Sequence, residues 1–228
     1  MPIASPVSHG NLRTRVYTQL RDQILRGTYT RGTALTEISI SQELGVSRTP
    51  VREAFSQLEL DGLVKATPNK GVVVEGFDQQ DILDWYDIRL NLEGMAVEKA
   101  TARMTPELAS QLSQTIEEAS LKLSESETEA LMVLDSRFHS LVFQASASRV
   151  LQNFQNPITH YTRQSRLVSL ANPMRASEVI HEHTLILEAM IVGDGRTARQ
   201  RMEQHIRHAA DSYRRVLRQD PIATSDPA

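Results

Sequence analysis

Four residues have the types and spacing to hold one divalent metal ion: Asp135, His139, His183 and His205. Asp135 and His139 stand four apart, so on a helix they share a face and can chelate a single ion. His183 and His205 lie in later segments. Leu185, Ile186 and Leu187 flank the first, Met202 and Ile206 the second, which turns both rings toward a core. Three imidazoles and one carboxylate form a mixed site suited to Zn2+, Ni2+ or Mn2+, with positions left for water or an anion. Helical histidines are also often plain polar groups, so spacing alone leaves both readings open. His9, His160, His181 and His208 carry no such pattern; His181 is two from His183 and points elsewhere on a helix.

A second constellation can read DNA. Arg48 and Arg52, four apart in Gly45-Val46-Ser47-Arg48-Thr49-Pro50-Val51-Arg52-Glu53-Ala54, project from one side of a helix start. Two arginines there can meet guanine O6 and N7, or phosphates, in a major groove. Ser47 and Thr49 add hydroxyl groups for phosphates, and Ser47 is placed to cap the helix. Lys70 and the bare backbone of Gly71 sit at a turn that can reach an adjacent groove or backbone. The plainer alternative makes Arg48 and Arg52 solvated surface groups, Arg52 paired with Glu53 or Glu59.

The elements that must position these groups follow from periodicity. Val16, Tyr17, Leu20, Ile24 and Leu25 mark a helix over 13–26, which Gly27 ends. A short helix is predicted over 37–44. Gly45 makes the tight turn, and Val51, Ala54, Phe55, Leu58 and Leu60 mark a third helix. Residues 63–66 and 72–75 read as strands around Thr67-Pro68-Asn69-Lys70-Gly71, a hairpin. Three helices and a hairpin predict a winged helix-turn-helix. Beyond Gly76 no further strand is evident. Helices are predicted to run from 78 to about 104, from 105, and over 127–146, 150–170, 176–192 and 196–217, six in an all-α bundle. The predicted organisation is a disordered tail over 1–10, a DNA-binding domain over 11–76, a helical effector domain over 77–218, and a loose tail over 219–228. The fold class is mainly α.

Composition sets outer limits. The 228 residues include no cysteine, which excludes disulfides and thiolate metal sites. No secretory signal or membrane-length apolar stretch is evident, so a soluble cytoplasmic protein is expected. The net charge of −3 is uneven. Residues 1–76 hold nine Lys/Arg and seven Asp/Glu, and the remainder sixteen and twenty-one, giving +2 and −5. A weakly basic head on an acidic body permits local attraction to phosphates.

The stretch from Val16 to Val74 resembles the winged helix of the GntR regulators. Gly27, Leu35, the run Leu44–Ala54, Leu58, Gly62-Leu63-Val64 and Gly71 carry the likeness. Ile38 departs from it, since some members have a DNA-contacting arginine there. Ser39-Ile40-Ser41 is also more polar than usual. The C-terminal half is similar to the FCD effector domain of the FadR-type branch. That likeness rests on Arg89-Leu90-Asn91-Leu92-Glu93, Asp135…Phe138-His139, Glu182-His183…Leu187 and Gly193-Asp194…Ala198…Met202…His205. Six helices look like the shorter, VanR-like subgroup. Ala147-Ser148 stands where the family usually has Gly-Asn.

The resemblance implies a homodimer on short pseudo-palindromic operator DNA with GT and AC half-sites. It also implies a divalent metal held by Asp135, His139, His183 and His205, and a small organic-acid effector whose carboxylate the arginine at position 89 holds. The flanking Ile88, Leu90 and Leu92 place Arg89 on a packed helix, although Glu93 is also spaced to pair with it on a surface. Arg163 and Arg166 are further candidates for lining the same effector cavity. The expected function is a ligand-responsive repressor of metabolic and catabolic genes, not an enzyme. Two alternatives remain: a metal-dependent hydrolase, which leaves the winged helix unexplained, and an architectural DNA binder with a structural metal.

Overall fold

Val16, Leu20 and Ile24 recur every four residues, and the first helix, α1 (His9–Leu25), buries that stripe. A two-residue strand follows, β1 (Ala34–Leu35), then α2 (Glu37–Leu44). Thr36 caps α2: its hydroxyl accepts from the Ser39 amide, while the Ser39 hydroxyl accepts from the Thr36 amide. Gly45, at φ 64°, ends it in the left-handed conformation. In α3 (Arg48–Leu60) Val51, Ala54, Phe55 and Leu58 form the buried face. Pro50 falls in the first turn, where a missing N–H costs nothing. β2 (Val64–Thr67) and β3 (Gly71–Val74) complete the unit, with Val72 and Val74 inward.

The protein is described here as a computed structural model covering residues 9–67 and 71–219. Two compact units divide between Asp78 and Gln79. Three details depart from the sequence-based expectation for the first unit. α1 begins at His9, inside the segment read as a tail, and residues 1–8 lie outside the described residues. The hairpin is part of a three-stranded antiparallel sheet, order β1-β3-β2. β1 was missed because two residues carry no alternation. Ser47 sits at the start of α3 with extended backbone, yet its hydroxyl makes no capping bond.

The second unit is all helical: α4 (Gln79–Thr101), α5 (Pro106–Ser124), α6 (Thr128–Ala145), α7 (Arg149–Tyr161), α8 (Arg163–Leu170), α9 (Pro173–Ile191) and α10 (Gly195–Gln219). Thr105 caps α5 ahead of Pro106, and Asn172 caps α9 ahead of Pro173. The run expected over 150–170 is two helices. The chain breaks at Thr162, which leaves helical geometry at φ −95° and ψ 4°, so this unit has seven helical segments among its described residues. Residues 220–228 lie outside them. α4, α6, α9 and α10 enclose a core that includes Tyr86, Val97, Phe138, Val142, Ile186, Met190, Met202 and Ile206. No helix among the described residues is long and apolar enough to cross a membrane.

Candidate functional site

In the first unit, the helix-turn-helix places Ser47, Arg48 and Thr49 in solvent at the start of α3. The Arg48 and Arg52 side chains are 57% and 64% exposed. Both forks converge on Glu37 in the first turn of α2. Arg48 donates through Nε and Nη2 to Oε2 at 3.2 and 3.1 Å. Arg52 donates through Nε to Oε1 at 2.6 Å and through Nη2 to Oε2 at 2.8 Å. The partner is thus Glu37, neither Glu53 nor Glu59, since Glu59 accepts from the Ala66 amide instead. The Arg52 hydrogen bond, then that of Arg48, lowers the Glu37 carboxyl to about 2. Sequence reasoning missed Glu37 because the pairing crosses the turn, eleven and fifteen residues away.

Gly71 has a structural duty. At φ 94°, a Cβ there would stand 2.2 Å from the Leu35 carbonyl oxygen, so β1 and β3 can pair only past a glycine. Lys70 lies outside the described residues. Ile38 is 54% exposed on α2, where it offers an apolar surface in place of a cation.

In the second unit, three helices bring the metal-type residues together. Asp135 and His139 come from α6, His183 from α9 and His205 from α10, all buried. One ligand atom from each lies within 4.8 Å of the others. The Nε2 atoms of His139 and His205 are 3.3 Å apart. Oδ1 of Asp135 is 3.8 Å from His139 Nε2 and 3.6 Å from His183 Nε2. Bonds of ~2.1 Å span at most ~4.2 Å between opposite donors, so one ion fits with a few tenths of an ångström of closure. Nε2 of His183 is buried and has no hydrogen-bond partner, as a nitrogen meant for a metal would be. The donor set therefore fits a divalent transition ion of the Zn2+, Ni2+ or Mn2+ kind.

Outer partners fix the rings. His139 Nδ1 meets Glu93, and His205 Nδ1 meets Glu182 at 2.6 Å, so both rings turn Nε2 to the centre. The His183 ring lies stacked on Phe138, centroids 3.9 Å apart. Burial, then the charges of His205 and His139, push His183 well below its ordinary value. Burial likewise pushes His205 down. Both shifts favour the neutral imidazole, the form that binds metal. His139 goes the other way: burial disfavours its cation, but Glu93 and Asp135 outweigh that.

Three arginines surround this centre. Arg89 is buried and donates from Nε to Glu93 at 2.6 Å, so its pairing with Glu93 is internal and not a surface contact. It reaches the Asp135–His139–His183–His205 cluster through Glu93 and His139. Arg166 on α8 gives only Nη1, to Oδ2 of Asp135 at 3.1 Å and to the Ser136 hydroxyl at 3.0 Å. Its Nε and Nη2 are buried without partners. Asp135 therefore points Oδ1 at the imidazoles and Oδ2 at Arg166. Arg175 on α9, missed in the sequence, forks onto Glu182 at 2.8 and 2.9 Å and leaves Nε unpartnered. Its spacing of seven from Glu182, two helical turns, was the available signal. Arg89, Asp135, Arg166, Arg175 and His205 line one cavity of about 20 Å³, room for a water or two. Arg163 lies apart, 3.7 Å from Glu129. His208, read as unremarkable, also donates from Nδ1 to the Glu182 carboxylate at 2.6 Å; it lies three residues beyond His205 on the same helix.

Comparison with known proteins places both units. Residues 12–74 match the bacterial regulatory proteins of the gntR family, and residues 84–208 match the FCD domain. The chain is 29% identical over 202 residues to the HTH-type transcriptional regulator YdhC of Bacillus subtilis, covering 88% of this chain and 90% of that protein. It is 24% identical over 206 residues to the HTH-type transcriptional repressor RspR of Escherichia coli, covering 90% of each. Among solved structures, E. coli McbR/YncC superposes with a TM-score of 0.72 at 22% identity, over 94% of this chain and all of that one, a likeness of fold.

Proposed function

The chain belongs to the GntR family of bacterial regulatory proteins, in the branch with an FCD C-terminal domain, and on that basis we propose that it represses metabolic genes in response to a small organic acid bound at a metal. It is a DNA-binding transcriptional regulator rather than an enzyme. Arg48 and Arg52 read base edges of a pseudo-palindromic operator, one half-site per subunit of a homodimer, and Ser47 and Thr49 hold flanking phosphates. Lys70 and Gly71 belong to the wing that meets the neighbouring backbone. This work on DNA is cytoplasmic. The repressor direction follows RspR, whose name states it.

The observation that carries the effector reading is Arg166: a buried guanidinium with two unpartnered N–H groups, beside four metal-type ligands. Asp135, His139, His183 and His205 would hold the ion. When bound, the ion supplies a Lewis-acidic centre that accepts an oxygen of the acid. Arg166 receives the carboxylate, with Arg89 beside it in the same cavity. That cavity is too small for an organic acid as it stands, so the acid must favour a more open arrangement of the bundle. Such differential affinity is what shifts a two-state equilibrium.

The test is operator binding by fluorescence anisotropy on metal-loaded protein, titrated with small carboxylates. A change in operator affinity that disappears after chelation is expected. Arg48→Ala and Arg52→Ala should each weaken operator binding about 5- to 150-fold while leaving the fold intact. Operator binding indifferent to every acid would return the protein to an architectural role with a structural metal.

A further inference from the structure

One side of α4 turns inward. Tyr86, Val97 and Ala100 join the bundle core, and Gly94 lets α10 come close, with Glu203 Oε1 3.3 Å from where a Cβ would stand. The opposite side holds Asp84, Ile88, Asn91, Met95 and Lys99, all exposed and spaced four, three, four and four residues apart, which makes one straight stripe on a helix. Ile88 and Met95 put two large apolar side chains in solvent at its middle. α7 carries a stripe of its own: Val150 and Phe154 are exposed, Pro157 and Tyr161 half-buried. The two stripes join where Trp85 of α4 meets Tyr161, ring centroids 4.6 Å apart. A continuous exposed apolar surface of this kind marks an interaction site.

Charge along α4 selects the partner. Asp84 stands at one end of the stripe and Lys99 at the other, with the apolar residues between them. Asp84 accepts from the neutral Gln80 amide at 2.7 Å, and neither it nor Lys99 is in an ion pair among the described residues. A second copy of α4 running antiparallel sets Asp84 against Lys99, Ile88 against Met95 and Asn91 against Leu92. All three pairings fall in one register, and symmetry makes each of them twice. A parallel copy would set Asp84 against Asp84 and Lys99 against Lys99, which repel. The size also suits a dimer. With 23 residues in α4 and 13 in α7, the two faces cover roughly 550 Å2 in projection at 1.5 Å per residue and ~10 Å of width. That is of the order of the ~800 Å2 per partner that stable protein pairs bury.

We infer that the exposed stripe of α4, flanked by α7, is the homodimer seam, with two copies of α4 packed antiparallel about a twofold axis beside Asn91. This rests on the homodimer reading above and deepens it. α4 begins at Gln79, directly after the first unit ends at Asp78. In this register the two Gln79 residues lie about 37 Å apart along the seam, close to the ~34–36 Å between half-sites one turn of DNA apart.

The experiment is sedimentation velocity of the full chain over a concentration series. Asp84→Lys and Lys99→Asp each set like charges against one another twice per dimer, and each should raise the dimer Kd about tenfold or more. The double variant restores opposite charges and should return Kd to within about threefold of the wild type. The substituted side chains are exposed, so far-ultraviolet circular dichroism should not change. The chain has no cysteine, so Asn91→Cys supplies one thiol beside the axis and should form a dimeric disulfide under mild oxidation. Val133→Cys, exposed on α6, should not. If a charge variant does not fold, this cysteine pair decides. A dimer that ignores both charge reversals, or that crosslinks no better through Asn91→Cys than through Val133→Cys, overturns the seam and leaves the homodimer standing. A monomer at every concentration overturns both.

Discussion

Asp135→Asn tests the link between the metal cluster and the arginines most directly. The side chain is 8% exposed, and its two oxygens divide between Arg166 at 3.1 Å and the imidazoles at 3.6 and 3.8 Å. The carboxamide keeps the shape and removes the charge. Arg166 then remains buried near Arg89 without its counter-ion. Breaking a buried pair from one side costs about 3–5 kcal/mol. The amide oxygen can still accept from Arg166, so a loss of about 3 kcal/mol is expected. For a domain of roughly 150 residues, each kcal/mol moves Tm by about 2–4 °C. The metal-free variant should therefore melt about 6–12 °C below the wild type. Metal present at about 100 times its Kd adds ~2.7 kcal/mol to a protein that binds it, a rise of about 5–10 °C. The wild type should show that rise and the variant should show little of it. Scanning calorimetry with chelator and with added Zn2+ gives all four values. A variant that melts with the wild type in chelator, or gains as much from zinc, refutes the proposed double duty of Asp135.

Glu37→Gln raises the net charge of the Arg48–Arg52–Glu37 trio from +1 to +2 by side-chain type. Binding to scrambled duplex should strengthen at low salt and the operator-to-scrambled ratio should fall, read by anisotropy across a salt series; an unchanged ratio means that Glu37 has no part in discrimination. Acidification of chelated protein from pH 7.5 to 5.5 should lower Tm. His183 and His205 have folded values below the unfolded ~6.5, so the unfolded chain binds more protons there and stability falls with pH. His139, raised, opposes them with stability that is full below ~6.5 and lost as pH rises through its folded value, but it is one ring against two. A Tm that climbs on acidification would reverse that sign. Ala147 holds φ 51° at an exposed position. Ala147→Gly should relieve ~1–2 kcal/mol of left-handed strain against ~0.5–1 kcal/mol of backbone entropy, raising Tm by about 2–3 °C in a thermal melt.

Ala147 also shows how a departure from the family pattern is absorbed. It takes a backbone conformation that favours glycine, and the Ser148 hydroxyl accepts from the Leu151 amide, so α7 is still capped. Thr162 shows the reverse case. Its break between α7 and α8 carries no glycine and no following proline, and periodicity read straight across it. The interruption is what sets Arg166 on a separate short helix against Asp135.

Much of this protein is local physics. Helix stripes such as Val51, Ala54, Phe55 and Leu58, and the Gly45 turn, depend on spacing and backbone freedom within a few residues, so they are readable in order along the chain. Asp135 with His139 is likewise one helical turn. The pairings are another matter. Glu37 with two arginines across a turn, Glu93 behind His139, Glu182 behind His205, and the free edge of Arg166 depend on which faces of separate helices meet. A charged side chain's partner is set by distance in space and by how little water remains there, and neither is encoded in local periodicity. Residue types along the chain were enough to single out Asp135, His139, His183 and His205 as candidate ligands, and the packed helices bring the four together. Only the packed helices settled that Arg89 is bound to Glu93 and that Arg166 has donors to spare.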